Sequence, residues 1–111
     1  MNQDVIVVTT NDLPGYEVVK VYGEVFGLIV RSRNIFGNIG ASFRTIFGGE
    51  VKGYTKLLAA TREEAMNRLR IEAAAKGANA ILMMRFDSGD IANQMNEVVA
   101  YGTAVKVVTK S

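Results

Sequence analysis

The longest regular pattern in this chain is helical. From Tyr54 to Lys76, apolar or small residues recur at intervals of three and four, and no Gly or Pro interrupts the run. The stripe consists of Tyr54, Leu57, Leu58, Thr61, Ala65, Leu69 and Ala73. Thr61 and Glu64 match a capping box, which would divide the segment into two helices. The unbroken periodicity instead favours one long helix that ends at Gly77.

Two strand candidates precede this helix. Val5–Thr9 is short and apolar, whereas Tyr16–Ser32 is long and dominated by β-branched residues. Gly23 and Gly27 interrupt the long candidate. They indicate a bulge, a bend or the close backbone approach of another strand.

The segment between the long strand and the long helix is rich in both glycine and large apolar residues. Its sequence is NIFGNIGASFRTIFGGEVKGY, covering Asn34–Tyr54. Ile and Phe residues recur at helical spacing, Asn34 is a suitable N-cap, and Gly48 and Gly49 are typical of a helix end. The two interior glycines, Gly37 and Gly40, would each cost about 1 kcal/mol relative to alanine. The sequence therefore predicts a first helix here that packs closely against a neighbouring element.

The same glycines allow a second interpretation. GNIG, from Gly37 to Gly40, resembles the GxxG loop with which KH domains clamp a nucleic-acid backbone. Its middle residues are Asn38 and Ile39, however, and neither is basic. The chain also lacks the GxxxxGK[ST] motif of a phosphate-binding P-loop. The glycines are therefore interpreted as close-packing positions, and no nucleic-acid partner is expected.

Two further strand candidates follow the long helix. Ala80–Asp87 is mostly apolar, a polar loop is predicted from Gly89 to Asn96, and Glu97–Thr109 is the last strand. The element order is thus β, β, α, α, β, β. This order predicts a single α+β domain over residues 1–111, with a mainly antiparallel sheet.

Missing residue types exclude several kinds of site. The 111 residues include no Cys and no His, which excludes disulfides, thiolate metal ligands and the commonest general base. Ser, Thr, Lys and Tyr are present, but no base that could activate them is identifiable, so the sequence does not support an enzyme. The net charge of +2 is too small by itself to indicate a nucleic-acid partner.

The sequence also bears on where the protein resides. The first residues, MNQDVIVVTTND, have no basic region before their short apolar run, unlike a signal peptide. No stretch reaches the roughly 20 apolar residues that a membrane-spanning helix needs. We expect a soluble, cytoplasmic protein without membrane insertion.

Three arginines form the first candidate site. Arg31, Arg33 and Arg44 lie within residues 25–49, a stretch that contains no acidic residue. Near the N-terminus of the predicted first helix, they could bind a small anion. The alternative is a solvated rim, or ion pairs between subunits. Candidate partners for such pairs are Glu50, Glu63 and Glu64.

Three carboxylates form the second candidate site. Asp87, Asp90 and Glu97 lie around the predicted polar loop and could offer oxygen ligands to Mg²⁺ or Ca²⁺. The spacing is far from that of an EF-hand, and Asp beside Ser and Gly is also ordinary turn composition. The sequence leaves both interpretations open and favours the turn.

Four stretches, taken in order, resemble the YbjQ-like family of small bacterial and archaeal proteins. They are PGYEVVKVYGEV (Pro14–Val25), NIFGNIGASFRTIFGGEVKGYTKLL (Asn34–Leu58), KGANAILMMRFDS (Lys76–Ser88) and AYGTAV (Ala100–Val105). The resemblance implies a curved antiparallel sheet packed on two helices. It also implies a ring-like homopentamer, built partly by strand pairing through Tyr16–Ser32 and the N-terminal strand. It brings no established activity and no known cofactor.

The family also carries a heavy-metal-binding label, and this chain departs from what that label needs. Without Cys or His, only thioethers and carboxylates are available to a soft or borderline metal. The first hypothesis from the sequence is therefore a non-enzymatic, homo-oligomeric binding or scaffold protein, a pentamer with a small-anion site at its subunit interfaces. The alternatives are a divalent-metal protein that uses the Asp87–Glu97 loop, and an enzyme whose site is assembled across subunits.

Overall fold

The computed structural model describes residues 4–32, 52–91 and 95–110. In chain order the elements are β1 (Ile6–Val7), β2 (Tyr16–Ser32), α1 (Lys52–Ala75), β3 (Ala80–Ile91) and β4 (Met95–Thr109). The strands form one four-stranded sheet in the order β1, β3, β4, β2. β1 runs parallel to β3, and the other two neighbouring pairs are antiparallel. The α+β class is therefore confirmed, with a sheet that is mixed only through its shortest strand.

The described residues contain one helix, not the two predicted. The predicted first helix, with its glycines, lies outside the described residues, so the order over the described part is β, β, α, β, β. The long helix is confirmed as a single element. Thr61 lies inside it, where the Thr61 hydroxyl donates to the Leu57 carbonyl oxygen at 2.8 Å instead of capping a second helix. In the part of the chain that the structure describes, no helix is long and apolar enough to cross a membrane.

Gly77 ends α1 through a Schellman motif. The Gly77 N–H donates to the Ala74 carbonyl oxygen, and the Ala78 N–H donates to the Ala73 carbonyl oxygen, both at 3.0 Å. Gly77 has a φ of +97°, which strains any residue with a Cβ. The glycine that the sequence places after the helix is thus the residue that allows the chain to turn into β3.

The bounds predicted for the long strand are confirmed, and so is its irregularity. The pairing of β2 with β4 shifts between Val18 and Lys20 and again between Val21 and Gly23. Gly23 has a φ of +102°, so the second bulge uses a conformation that glycine adopts without strain. The two bulges therefore change the orientation of the start of β2 relative to its second half.

Gly27 marks a close approach, but of the helix and not of another strand. A Cβ at this position would lie 2.6 Å from the backbone nitrogen of Leu69 and 3.1 Å from the carbonyl carbon of Ala65. The backbones of β2 and α1 therefore touch here. The position of α1 on the sheet depends on the missing side chain.

The polar loop predicted from Gly89 to Asn96 is wrong over most of its length. β3 continues to Ile91 and β4 begins at Met95, and the two strands pair throughout this region. Ser88 lies opposite Val98, so this polar residue gains a β-branched neighbour across the hairpin. These residues form a strand in spite of their turn-like composition because their backbone groups hydrogen-bond to β4.

Apolar side chains pack on both faces of the sheet. The main core lies between the sheet and α1 and contains the fully buried Ala65, Leu69 and Ala73. A second cluster lies on the other face and contains Ala80, Leu82, Val105 and Val107. It is covered by the N-terminal segment and the start of β2, through Ile6, Val8, Leu13 and Tyr16.

Candidate functional site

The second half of β2 presents apolar side chains on both faces. Val25 and Ile29 face α1 and are buried, and strand geometry turns the alternate residues 26, 28 and 30 the other way. Those residues, Phe26, Leu28 and Val30, expose 50%, 45% and 44% of their surface. On this side the strand is apolar but not covered by another described element.

β4 continues this exposed apolar surface. In the strand register Tyr101 lies opposite Phe26 and Val99 lies opposite Leu28, so the four side chains share one face. The ring centroids of Phe26 and Tyr101 are 6.5 Å apart. We call Phe26, Leu28, Val30, Val99 and Tyr101 the open face.

The open face is the strongest candidate interaction surface among the described residues. Contiguous exposed apolar patches mark sites that bind other macromolecules, whereas single exposed apolar residues need no explanation. At the other end of the same sheet face, the N-terminal segment covers the second apolar cluster. Among the described residues, this face of the sheet is therefore covered along only part of its length.

A pocket lies between the start of α1 and the free end of the β3–β4 hairpin. Its volume is about 470 Å³, and its lining residues are Leu58, Ser88, Gly89, Asp90, Asn96, Glu97 and Val98. The wall combines carboxylate, amide and hydroxyl oxygens with two aliphatic side chains. This donor set suits a hard cation or a ligand with hydrogen-bond donors.

The structure brings only two of the three predicted carboxylates to this pocket. Asp90 and Glu97 line it, whereas Asp87 lines a smaller neighbouring pocket of about 160 Å³. In the hairpin register Asp87 lies opposite Val99 and Asp90 opposite Asn96, so Asp87 lies further along the strand from the end of the hairpin than Asp90 does. Within residues 4–32, 52–91 and 95–110, no group of three or more acidic residues could hold a metal ion.

Of the three predicted arginines, only Arg31 lies in the described residues; Arg33 and Arg44 lie outside them. Arg31 Nη2 forms an ion pair with Glu64 Oε2 of α1 at 2.5 Å. Arg68 approaches the other oxygen of the same carboxylate at 3.7 Å. Arg31 is thus held by Glu64 of its own chain, one of the partners that the alternative interpretation named, although that interpretation placed the pair between subunits.

Sequence reasoning did not identify the open face. The signal was present in VFGLIV, residues 25–30, because an uninterrupted apolar run in a strand is typical of burial on both faces. α1 covers one of these faces. The run therefore predicts a cover for the other.

Comparison with known proteins finds a family model that matches nearly the whole chain. Residues 5–108 match the YbjQ family model, which is described as "Putative heavy-metal-binding". The residues present do not fit a heavy metal, since the chain has neither Cys nor His and its described carboxylates form no group of three. The chemistry of this chain therefore does not favour a heavy metal as its ligand.

Similar proteins occur in bacteria and archaea. The chain is 54% identical over 105 residues to the UPF0145 protein YjfJ of Lactococcus lactis, covering 95% of this chain and 96% of that protein. It is 58% identical over 104 residues to a UPF0145 protein of Streptomyces griseus, with 94% and 86% covered. It is 53% identical over 107 residues to a UPF0145 protein of Methanocella arvoryzae, with 96% and 89% covered.

The fold is also similar to that of a solved structure. A crystal structure of a protein of unknown function from Pediococcus pentosaceus, assigned to the DUF74 family, superposes with a TM-score of 0.62 at 14% identity. The match covers 96% of this chain and 100% of that one. At this identity it supports the fold alone. The family model and the relatives, which span nearly the whole chain, show that this protein belongs to the YbjQ-like (UPF0145) family.

Proposed function

We propose that this chain is the subunit of a non-enzymatic, homo-oligomeric binding or scaffold protein, and that subunits associate through the open face. A ring-like pentamer, which the family resemblance implies, is the proposed assembly. One observation supports the proposal above all others. Four large apolar side chains of neighbouring strands, Phe26, Leu28, Val30 and Tyr101, are exposed on one sheet face.

The proposed occupant of the open face is a second copy of the same chain. The Lactococcus lactis relative consists almost entirely of sequence shared with this chain, 96% of its length, so that relative has no further domain that could cover the face. Closed assemblies of identical subunits are the commonest soluble oligomers. The five side chains are uncharged, which is the composition of homo-oligomer interfaces.

The test is the mass of the protein in solution. We expect light scattering to give a multiple of the 12.1 kDa chain, five subunits for the proposed ring. Leu28→Lys places a charge on the open face at a side chain that is 45% exposed, so folding should be retained. We expect this variant to have a lower mass than the wild type at equal concentration.

The matched control is Val108→Lys. Val108 is 42% exposed on β4 but lies outside the open face, and the change introduces the same charge into a similar environment. This control should keep the wild-type mass. A wild-type monomer, or a Leu28→Lys protein that assembles as the control does, would refute association through the open face.

A small anion at the subunit interfaces is the ligand that we propose for the three arginines. An anion at Arg31 has to compete with Glu64, which already holds the Arg31 guanidinium. Phosphate or sulfate should raise the melting temperature of the wild type. The rise should be smaller in Arg31→Ala and Arg44→Ala, and an equal rise in both variants would reject this site.

The second candidate function is binding of a hard divalent cation in the 470 Å³ pocket. The observation in its favour is that Ser88, Asp90, Asn96 and Glu97 line one pocket and offer oxygen ligands of the kind that Ca²⁺ and Mg²⁺ prefer. Either ion should then raise the melting temperature, and EDTA should reverse the rise. Asp90→Asn should abolish it. Asp12→Asn, at an exposed position in the N-terminal turn, is the control with the same change in charge. No stabilisation by either ion would remove this candidate.

A further inference from the structure

Side chains of α1 occupy the outer edge of β2. β2 is the last strand in the sheet order, so among the described strands none pairs with this edge. Three hydrogen bonds join the edge to α1: Arg68 Nη1 donates to the Leu28 carbonyl oxygen at 2.7 Å, the Phe26 N–H donates to Glu72 Oε2 at 3.2 Å, and Lys76 Nζ donates to the Glu24 carbonyl oxygen at 3.2 Å. We call Arg68, Glu72 and Lys76 the capping row.

The spacing of the capping row matches the spacing of the strand. Four residues of an α-helix rise about 6 Å. Two residues of a β-strand rise about 6.7 Å, and alternate residues direct their backbone groups to the same edge. One charged side chain per helical turn can therefore reach every second residue of an adjacent strand.

The signs of the charges also match the backbone groups that they meet. The two cations of the capping row meet carbonyl oxygens, and Glu72 meets an N–H. Lys76 also pairs with Glu72 inside the row at 4.0 Å, and Arg68 pairs with Glu64, one helical turn before it, at 3.7 Å. The row is thus part of a network of charges along the helix.

The strand segment that the capping row contacts has a composition that favours pairing with other chains. Residues 25–30, VFGLIV, are apolar, uncharged and free of proline. A segment of this composition on an exposed edge pairs with identical segments of other copies. The capping row meets backbone groups at residues 24, 26 and 28, so it spans the first half of this segment.

We propose that the capping row closes the β2 edge at residues 24–28 to strand pairing with the same segment of a second copy. An incoming strand needs the same backbone groups and must first displace three charged side chains. Strand pairing by β2 is thereby confined to stretches that the row does not reach, of which Tyr16–Gly23 is the longest. This inference does not depend on the proposed function, because the edge and the open face point in different directions.

The test compares two triple variants. Arg68→Ala/Glu72→Ala/Lys76→Ala removes the capping row, and Ala preserves helix propensity. The control, Lys56→Ala/Arg62→Ala/Glu63→Ala, removes the same residue types from other positions of α1. Each variant is incubated at equal concentration and followed by sedimentation velocity and thioflavin T fluorescence, with amide hydrogen exchange measured on the fresh samples.

The expected result has two parts. Exchange of the Phe26 amide, which loses its Glu72 acceptor, should be faster by about tenfold without the capping row and unchanged in the control. The variant without the row should then form large thioflavin-positive species, whereas the control should keep the wild-type sedimentation profile. The open-face proposal is tested by the masses of the wild type and of Leu28→Lys, and both of these proteins retain the capping row. The two proposals can therefore fail separately.

The proposal is overturned if the variant without the capping row folds and sediments as the control does, without thioflavin signal. Should this triple variant not fold, Glu72→Ala/Lys76→Ala leaves the Arg68 contact in place and is compared with Arg62→Ala/Glu63→Ala. Association of the first pair above that of the second supports the proposal. Equal behaviour of the two pairs overturns it.

Discussion

Replacing Gly27 by alanine tests how α1 is seated on the sheet. The added Cβ would lie 2.6 Å from the Leu69 backbone nitrogen and 3.1 Å from the Ala65 carbonyl carbon, with the Ala65 oxygen closer still. Carbon atoms in contact prefer a separation of about 3.5–4.0 Å. Because these three neighbours are all backbone atoms, no side-chain rotation relieves the contact, and α1 must move by about 1 Å or more.

The cost of this shift follows from what α1 buries. Ala65, Leu69 and Ala73 have no exposed surface, so lifting the helix loosens the whole main core. Overpacking of this kind costs up to about 3 kcal/mol. Alanine recovers about 0.5–1 kcal/mol by restricting the unfolded chain. We expect a net loss of about 2 kcal/mol, which for a domain of this size lowers the melting temperature by roughly 8 °C or more.

The assay is thermal unfolding followed by circular dichroism, at one protomer concentration because association would shift the transition. Gly89→Ala is the matched control, since nothing lies within 4 Å of a Cβ built there. The control should change stability by less than about 0.5 kcal/mol. If Gly27→Ala melts as Gly89→Ala does, the strand and helix backbones are not in contact, and the account of the main core is wrong.

Two further predictions concern Asn79, which precedes β3, and Met83 within β3. Asn79→Ala should lower the free energy of unfolding, measured with denaturant, by about 1–3 kcal/mol. The reason is that the Asn79 side-chain amide accepts from the Val107 N–H at 2.8 Å and donates to the Val107 carbonyl oxygen at 2.9 Å. A loss below about 0.5 kcal/mol would contradict this. Met83 occupies the β3 bulge with a φ of +56° and is 49% exposed. Because glycine adopts this conformation without strain and a β-branched residue does not, Met83→Gly should be neutral or stabilising by about 1 kcal/mol, whereas Met83→Val should be destabilising. The same unfolding measurement decides, and a Gly variant less stable than the Val variant would show that the bulge is not strained.

The sequence predicted the elements whose local signals agree with one another. Tyr16–Ser32 is rich in β-branched residues throughout, and its bounds are confirmed. α1 has unbroken periodicity and a glycine placed after it, and it is a single helix that ends at Gly77. In both cases composition, period and the terminal residue favour the same structure.

The errors arose where a local signal had more than one physical solution. Asp, Ser and Gly are typical of turns, yet at residues 87–90 they lie in a strand because β4 satisfies their backbone. Gly27 predicted the approach of a backbone, but one residue does not reveal whether the neighbour is a strand or a helix. The i, i+4 charges of the capping row similarly indicate pairs along one helix, whereas their backbone partners are 40–52 residues away in sequence.

The segment Val25–Val30 shows how these features limit what the protein can bind. A β-strand in an edge position offers two faces and one edge to a partner. α1 covers one face through the contact at Gly27. The capping row of the same helix occupies the edge at residues 24–28. One direction is left among the described residues, and its side chains are apolar and exposed. If the capping row closes the edge as proposed, a partner at residues 24–28 packs against the open face by burying side chains, and it does not extend the sheet there by strand addition.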